Sequence, residues 1–126
     1  MSPGVILDAG ALIALERNER RVIALLARAQ ERGAGIAIPA PVLAQVIRRP
    51  AGQVRLMRLL RQPATATIAL DRVEATRVGV LLADSGTSDL ADAHVVVCAR
   101  RLRRPVVTSD LDDLRRLDPA IELVPV

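Results

Sequence analysis

The 126-residue chain contains no phenylalanine, tyrosine or tryptophan. RRM and OB-type domains stack single-stranded nucleic acid on aromatic rings, so the absence of such rings argues against both classes. Lysine is absent as well, and all 18 basic residues are arginine. A P-loop needs a lysine on the phosphates, so that motif is excluded, and a phosphoacceptor receiver domain is disfavoured because it relies on a lysine in its acidic pocket.

The chain also has little cysteine and no long apolar run. One cysteine, Cys98, excludes an internal disulfide framework and a cysteine-rich zinc site. The longest uncharged stretch, Gly33 to Ile47, contains two prolines and is shorter than the roughly 20 apolar residues of a membrane-spanning helix. The first residues lack the basic region and apolar run of a signal peptide, so we expect a cytoplasmic protein without a membrane segment.

The overall composition is that of a globular protein. Hydrophobic residues make up 51% of the chain and charged residues 25%, which is ample material for a core. The length fits one domain over residues 1–126. The net charge of +4 favours polyanionic partners, because arginine pairs well with phosphate oxygens.

Apolar patterns with two different periods alternate along the chain, which predicts alternating strands and helices. Strands are predicted at Val5–Leu7, Gly35–Ile38, Thr65–Leu70, Pro105–Thr108 and Ile121–Val124. Helices are predicted over about Ala11–Glu31, from Pro41 to about Ile47, over Gln53–Arg61, from Arg72 to about Ala83, over about Asp89–Leu102 with Ser88 as the cap, and over Leu111–Leu117. This order is typical of an α/β fold with three layers, in which a parallel sheet of about four or five strands is covered on both faces.

Four acids stand out by their position in this pattern. Asp8 and Asp110 each follow a strand, so they lie at the carboxyl edge of the sheet, where ligands of such folds gather. Asp89 and Asp92 open a helix and share one of its faces. Capping of helices is the alternative explanation for Asp89 and Asp110, whereas Asp92 precedes a nearly all-apolar helix, where a carboxylate usually has a charged or metallic partner.

Converging carboxylates repel one another unless a cation lies among them. Oxygen ligands select a hard ion, so Mg²⁺ or Mn²⁺ is the cofactor that this arrangement predicts. Such an ion can activate water and neutralise charge on a phosphodiester.

Four short motifs follow one another along the chain: Val5–Leu15, Ile38–Arg48, Asp89–Ala93 and Val106–Asp110. Together they resemble the PIN domain and, within it, the VapC-type toxins of bacterial toxin–antitoxin pairs, and the resemblance covers the whole chain. It implies a small parallel α/β/α domain that cleaves RNA with Mg²⁺ or Mn²⁺.

Residue by residue, the resemblance assigns Asp8, Asp92 and Asp110 to the family's metal-binding acids and Asp89 to an extra acid of some members. Thr108 and Ser109 match the small polar residues beside the last acid. Gln45 stands where the family has a glutamate, so it brings an amide oxygen but no charge. Asp112 and Asp113 are adjacent acids that can compensate, although first-turn stabilisation of their helix is the simpler interpretation.

Three arginines near the expected active edge, Arg17, Arg48 and Arg49, are predicted to contact RNA phosphates or an acidic antitoxin tail. The alternative for each is a solvated surface. The amphipathic helix Gln53–Arg61 is predicted to contact an antitoxin or a second copy in a homodimer, both of which occur in the resembling family.

His94 and Cys98 share a helix face at zinc-ligand spacing, but two ligands do not make a zinc site. We therefore expect a packed cysteine and a histidine that is hydrogen-bonded or partly exposed. The resulting hypothesis is a metal-dependent ribonuclease, the toxin of a VapBC-like pair. The alternatives are a catalytically weak PIN-fold protein that binds RNA or a partner, and another metal-dependent phosphodiesterase.

Overall fold

The computed structural model of the chain describes residues 4–126, and a parallel five-stranded sheet forms its centre. The strand order is β3-β2-β1-β4-β5, and every neighbouring pair is parallel. The strands are β1 (Val5–Leu7), β2 (Ile36–Pro39), β3 (Thr65–Ile68), β4 (Val106–Thr108) and β5 (Leu123–Pro125). The prediction of an α/β fold with a parallel sheet is confirmed.

Helices connect the strands on both faces of the sheet. They are α1 (Ala9–Glu16), α2 (Arg20–Glu31), α3 (Ala40–Val46), α4 (Val54–Leu60), α5 (Arg72–Ser85), α6 (Leu90–Leu102) and α7 (Leu111–Leu117), with a 3₁₀ turn at Pro50–Gly52. From β1 the chain moves outwards through β2 to β3, then returns across the sheet to β4 and β5. Right-handed crossovers therefore place α1 to α4 on one face and α5 to α7 on the other, which makes the three predicted layers.

The core lies on both sides of the two central strands. Ile6, Leu7, Val106 and Val107 are fully buried, as expected for strands that helices cover on both faces. Helix α6 is the most deeply buried helix, with every residue from 93 to 99 excluded from solvent. The site described below therefore stands on a rigid base.

One predicted helix is wrong: the apolar pattern from Ala11 to Glu31 belongs to two helices. Helix α1 ends at Glu16 and α2 begins at Arg20. Asn18 between them has a φ of 59°, a left-handed conformation that asparagine tolerates better than most residues. Apolar residues continue on both sides of this turn, so periodicity alone did not reveal it.

The prediction of one domain over residues 1–126 includes residues 1–3, which lie outside the described residues. In the part that is described, no helix has both the length and the apolar character needed to cross a membrane.

Candidate metal centre at the carboxyl edge of the sheet

The topology places two of the predicted acids side by side. Strands β1 and β4 are neighbours, and Leu7 pairs with Val107. After β1 the chain continues towards β2 on one side of this pair, and after β4 it continues towards β5 on the other side. A crevice therefore opens beyond the carboxyl ends of β1 and β4. Asp8 follows β1 and Asp110 lies two residues beyond the end of β4. Both are therefore at the point where ligands of open α/β sheets bind.

Asp8 is buried, and hydrogen bonds hold both of its oxygens. Oδ1 accepts from the backbone N–H of Ala11 at 2.9 Å, which caps the start of α1. Oδ2 accepts from the hydroxyl of Thr108. The same hydroxyl oxygen accepts from the backbone N–H of Asp110 at 2.8 Å. Thr108 is fully buried, so it links the ends of β1 and β4 and fixes the two acids relative to each other.

Asp110 does not act as the helix cap that the sequence left open as its alternative role. It occupies the first position before α7, yet its side chain makes no capping hydrogen bond to the described residues. The carboxyl group of Asp113, in the first turn of α7, is close enough to raise the pKa of Asp110. Asp113 also lies 3.8 Å from the guanidinium of Arg116.

The other pair of acids approaches from the beginning of α6. Oδ1 of Asp89 accepts from the backbone N–H of Asp92 at 2.9 Å, so Asp89 caps the helix and the predicted cap, Ser88, does not. The other oxygen of Asp89 makes no hydrogen bond with the rest of residues 4–126. A cavity of about 250 Å³ lies beside the pair, and its lining includes Asp89, Asp92, Asp113 and Arg116.

The electrostatics show that these carboxyl groups are close enough to affect one another. Burial raises the pKa of Asp92 to about 7, and the charges of Asp89, Asp8, Asp110 and Asp113 raise it in the same direction. Burial also raises the pKa of Asp8, although the hydrogen bonds from Thr108 and Ala11 oppose the shift. The neighbouring carboxyl group of Asp113, followed by burial, raises the pKa of Asp110. A cation among these carboxylates would offset their mutual repulsion.

The donor set fits a hard divalent ion. Every side chain involved is a carboxylate, and oxygen ligands of this kind suit Mg²⁺ and Mn²⁺. The carboxylates are not gathered as tightly as a full set of protein ligands would be. Within residues 4–126, the one group of three acidic, histidine or cysteine side chains with ligand atoms all within 4.8 Å of one another lies elsewhere. Mg²⁺ usually keeps several of its waters, so it does not require a full set of protein ligands.

Ser109 and Gln45, which the sequence predicts beside the acids, lie in different places. Ser109 is next to α1, where a Cβ on Gly10 would lie 2.2 Å from its hydroxyl oxygen, so glycine is needed for this approach. Gln45 is on α3 and exposed, and α3 packs against α6. No hydrogen bond joins the Gln45 side chain to an acid within the described chain.

The three predicted RNA-binding arginines are all exposed. Arg48 donates to the carbonyl oxygens of Ala44 and Ile47 at 2.9 and 2.8 Å, so its guanidinium lies back against its own segment. Arg17 follows the far end of α1, which rises ~12 Å from Asp8.

The sequence pattern assigned too little weight to Asp113 as a site residue and did not single out Glu74. Asp113 was interpreted mainly as a helix-stabilising acid, because sequence spacing cannot tell which face of α7 meets the sheet edge. Glu74 was not considered, although it is 4% exposed in the middle of the domain. A glutamate in the first turn of a capped helix is common, so only the fold distinguishes this one.

Comparison with known proteins agrees with this geometry. The family model described as "PIN domain" matches residues 5–119. No curated protein matches the chain in sequence. Among solved structures, VapBC2 from Rickettsia felis, bound to a DNA fragment from its promoter, has a TM-score of 0.69 and 18% identity, covering 96% of this chain and 97% of that chain.

Two further structures are similar in fold. FitAcB from Neisseria gonorrhoeae has a TM-score of 0.62 at 18% identity and covers 94% of this chain and 95% of its own. PAE2754 from Pyrobaculum aerophilum has a TM-score of 0.63 at 18% identity, covering 94% of this chain and 83% of its own. The family match extends over nearly the whole sequence and contains the acidic edge built from β1, β4 and α6, and on this ground the chain belongs to the PIN domain family.

Proposed function

We propose that this protein is a divalent-metal-dependent endoribonuclease and the toxin of a VapBC-like toxin–antitoxin pair. The observation that carries the proposal is the link from Asp110 through Thr108 to Asp8 at the crevice between β1 and β4, with Asp92 close by. Membership of the PIN domain family supports a nuclease. The motif resemblance to VapC-type toxins and the likeness in fold to VapBC2 favour the toxin role.

Asp8, Asp92 and Asp110 are the residues that would hold Mg²⁺ or Mn²⁺, with Asp89 assisting. When bound, the cation supplies charge neutralisation at the phosphodiester and activation of water. Thr108 positions Asp8 and Asp110 through its hydroxyl, and it is buried, so solvent does not compete for these hydrogen bonds. Gln45 orients substrate or water through its amide but contributes no charge.

In this proposal Asp113 contributes the negative charge that Gln45 does not. Its carboxyl group is close enough to that of Asp110 to raise the pKa of Asp110, and Asp113 lines the same cavity as Asp89 and Asp92. A Gln45→Glu variant tests this account. If Asp113 already compensates, Gln45→Glu changes the cleavage rate by less than about tenfold, whereas Asp113→Asn lowers it by roughly 10²-fold or more, the usual scale for a lost electrostatic group.

The proposed antitoxin site is a groove between α1, α2 and α4. Its cavity of about 330 Å³ has an apolar floor that includes Leu15, Leu26 and Leu59, and Arg55 and Arg58 lie at its edge. Charge and shape suit an amphipathic acidic helix. Because this chain has no aromatic residues, near-ultraviolet absorbance in a purified complex comes from the partner or from bound nucleic acid. The homodimer and the cytoplasmic location stay predictions.

RNA is the proposed substrate, and Arg17, Arg48 and Arg49 are the proposed phosphate contacts. Arginine forks pair with phosphate oxygens, and each of the three side chains is exposed. Arg49→Ala is the sharpest single test, because Arg48 is tied to its own backbone and Arg17 lies farther from Asp8. It should weaken RNA binding and reduce its salt dependence.

The test of the activity uses purified protein with labelled single-stranded RNA and Mg²⁺ or Mn²⁺. Asp8→Asn and Asp92→Asn should abolish cleavage, whereas Asp112→Asn, the same change at an exposed acid outside the cluster, should retain it. Parent and variants that cleave equally would refute the proposal, since contaminating nuclease would then explain the activity. Parallel reactions with DNA and a small phosphate ester separate a ribonuclease from another phosphodiesterase.

The second candidate function is that of a catalytically inactive RNA-binding protein, and the neutral side chain of Gln45 favours it. It predicts retention of RNA without cleavage even when Mn²⁺ is in excess. Restoration of cleavage by Gln45→Glu would then identify the missing charge as the cause.

A further inference from the structure

A second group of metal-ligating side chains lies away from the acidic edge, between α5 and α6. Glu74, His94 and Cys98 are 4%, 0% and 0% exposed, and their ligand atoms all lie within 4.8 Å of one another. His94 and Cys98 come from successive turns of α6, and Glu74 comes from the first turn of α5. The sequence offers only two zinc ligands on one helix face, and the fold brings Glu74 to them as a third.

We propose that Glu74, His94 and Cys98 form a site for a thiophilic divalent metal ion, with Zn²⁺ as the chemical type. A thiolate, an imidazole and a carboxylate with a fourth position open is a donor set that zinc accepts. The site is independent of the nuclease proposal. Cys98 lies six residues beyond Asp92 on α6, a rise of ~9 Å.

Two of the distances between the donor atoms are close to those of a tetrahedral centre. Oε1 of Glu74 is 3.4 Å from Nε2 of His94 and 3.8 Å from Sγ of Cys98. At ordinary zinc bond lengths, tetrahedral geometry separates an oxygen from a nitrogen by ~3.3 Å and an oxygen from a sulfur by ~3.6 Å. The third pair of ligand atoms, on His94 and Cys98, also lies within 4.8 Å, so the three side chains surround one point in the core.

The polar atoms of the group are incompletely satisfied by protein. Three donors converge on one oxygen of Glu74, from His94, Cys98 and Arg101. Its other oxygen and Nδ1 of His94 are buried and make no hydrogen bond with the described residues. Arg77 lies 3.5 Å from that second oxygen, as an ion pair rather than a hydrogen bond. Buried polar atoms without partners are uncommon in folded proteins, so the hydrogen bonding of this group is incomplete without a ligand, although neither atom is one of the proposed metal donors.

Charge balance allows a metal ion to replace the arginine. The buried carboxylate is neutralised by Arg101, whose nitrogen is 3.0 Å from Glu74 and whose side chain is 40% exposed. A divalent ion with one carboxylate and one thiolate also sums to zero. Burial raises the pKa of Cys98 to about 12, so binding must displace the thiol proton, as zinc does at cysteine ligands.

The side chains of Arg77 and Arg101 have space to move away from Glu74. A cavity of about 750 Å³ between α5, α6 and α7 is lined by Arg77 and Arg101 among others. Their side chains, 54% and 40% exposed, separate Glu74 from this cavity. Their outward rotation opens a path for the ion and places a water from the cavity at the fourth position.

Cobalt(II) is the probe, because a thiolate bound to Co²⁺ gives a charge-transfer absorption in the near ultraviolet. This chain has no aromatic residues to obscure that region. Chelator-treated protein is titrated with Co²⁺ in excess Mg²⁺, which competes at the oxygen ligands of the acidic edge. We expect the absorption to saturate at one ion per chain and to be displaced by Zn²⁺.

Four variants separate this site from the acidic edge and from a purely structural ion pair. Cys98→Ser should abolish the absorption. Glu74→Gln should weaken cobalt binding by at least about tenfold, because even the loss of a residue that only supports a metal ligand costs roughly 10- to 100-fold. Asp92→Asn should leave the absorption unchanged. Arg101→Ala should tighten binding by about tenfold, because it removes the charged hydrogen bond with which the ion competes.

A folded parent protein without the thiolate absorption would overturn the proposal, as would an absorption that persists in Cys98→Ser. Far-ultraviolet circular dichroism establishes that each variant is folded. If Cys98→Ser does not fold, the comparison of Glu74→Gln with Arg101→Ala decides. Weaker binding in the first and tighter binding in the second support the site, and any other combination overturns it.

Discussion

Replacing Asp92 by asparagine should stabilise the protein at alkaline pH while removing its proposed activity. Asp92 is half-buried at the start of α6, and burial together with four neighbouring carboxylates raises its pKa to about 7 from an ordinary value of 3.8. The ionised side chain therefore opposes folding. Asparagine has nearly the same shape and is neutral at every pH.

The sign of the effect follows from the two pKa values. Below 3.8 the carboxyl is protonated in the folded and unfolded states, and it costs nothing. Between 3.8 and about 7 the folded state holds the proton more tightly, so stability falls as the pH rises. Above about 7 the whole penalty is present. The benefit of Asp92→Asn should therefore appear over this interval and stay constant above it.

The size of the benefit can be bounded. A shift of about three pKa units corresponds to an upper limit of ~4 kcal/mol. Solvent screening of a half-buried group and relaxation of its neighbours reduce this, so we expect ~2 kcal/mol at about pH 8 and close to zero at about pH 4.

The assay is urea denaturation with a chelator present, followed by far-ultraviolet circular dichroism, since the chain has no tryptophan for fluorescence. Asp112→Asn is the matched control. It removes an exposed first-turn acid from α7 and should slightly destabilise the protein. Mg²⁺ should stabilise the parent more than Asp92→Asn, because ligand binding to the folded state adds stability. An Asp92→Asn variant that is less stable than the parent at about pH 8 would refute the reasoning.

Two further predictions concern stability and positioning. Thr108→Val removes the hydroxyl that joins Asp8 to the backbone of Asp110, so it should lower the free energy of unfolding by ~1–3 kcal/mol and reduce RNA cleavage. Thr108→Ser should preserve both, and equal activity in the valine variant would contradict the positioning role. Gly4→Ala places a Cβ 2.0 Å from the carbonyl oxygen of Gly35 and should cost ~1–3 kcal/mol in a thermal melt. Gly79→Ala, in open space on α5, should instead stabilise by ~0.5–1 kcal/mol, and a similar loss in both alanine variants would show that the contact is not the cause.

Most of the correct predictions depend on residue type and spacing within a single strand or helix. Alternating periods identified all five strands, with ends that differ by no more than two residues, because a buried parallel strand is a short apolar run. Asp71 was expected to cap α5, and its carboxylate accepts from the N–H of Glu74 at 2.9 Å. The turn at Asn18 escaped notice, since a left-handed residue leaves no gap in the apolar pattern.

The acids at the carboxyl edge were also predictable, because parallel strands bring their carboxyl ends to one edge whatever their order. Their strand order was not predictable from local pattern. Only the tertiary structure shows that β1 and β4 are neighbours, that Thr108 joins Asp8 to Asp110, and that Asp113 lies close enough to Asp110 to raise its pKa.

The sequence by itself therefore determined the class of fold, the carboxylates available for a cation and the absence of aromatic and lysine chemistry. These depend on residue type and on spacing within one element. The tertiary structure decided which side chains meet across elements. Glu74 lies 20 residues from His94 in sequence, and only the packing of α5 on α6 brings them within 3.4 Å. Contacts of this kind depend on helix rotation and on burial, which no short stretch of sequence encodes.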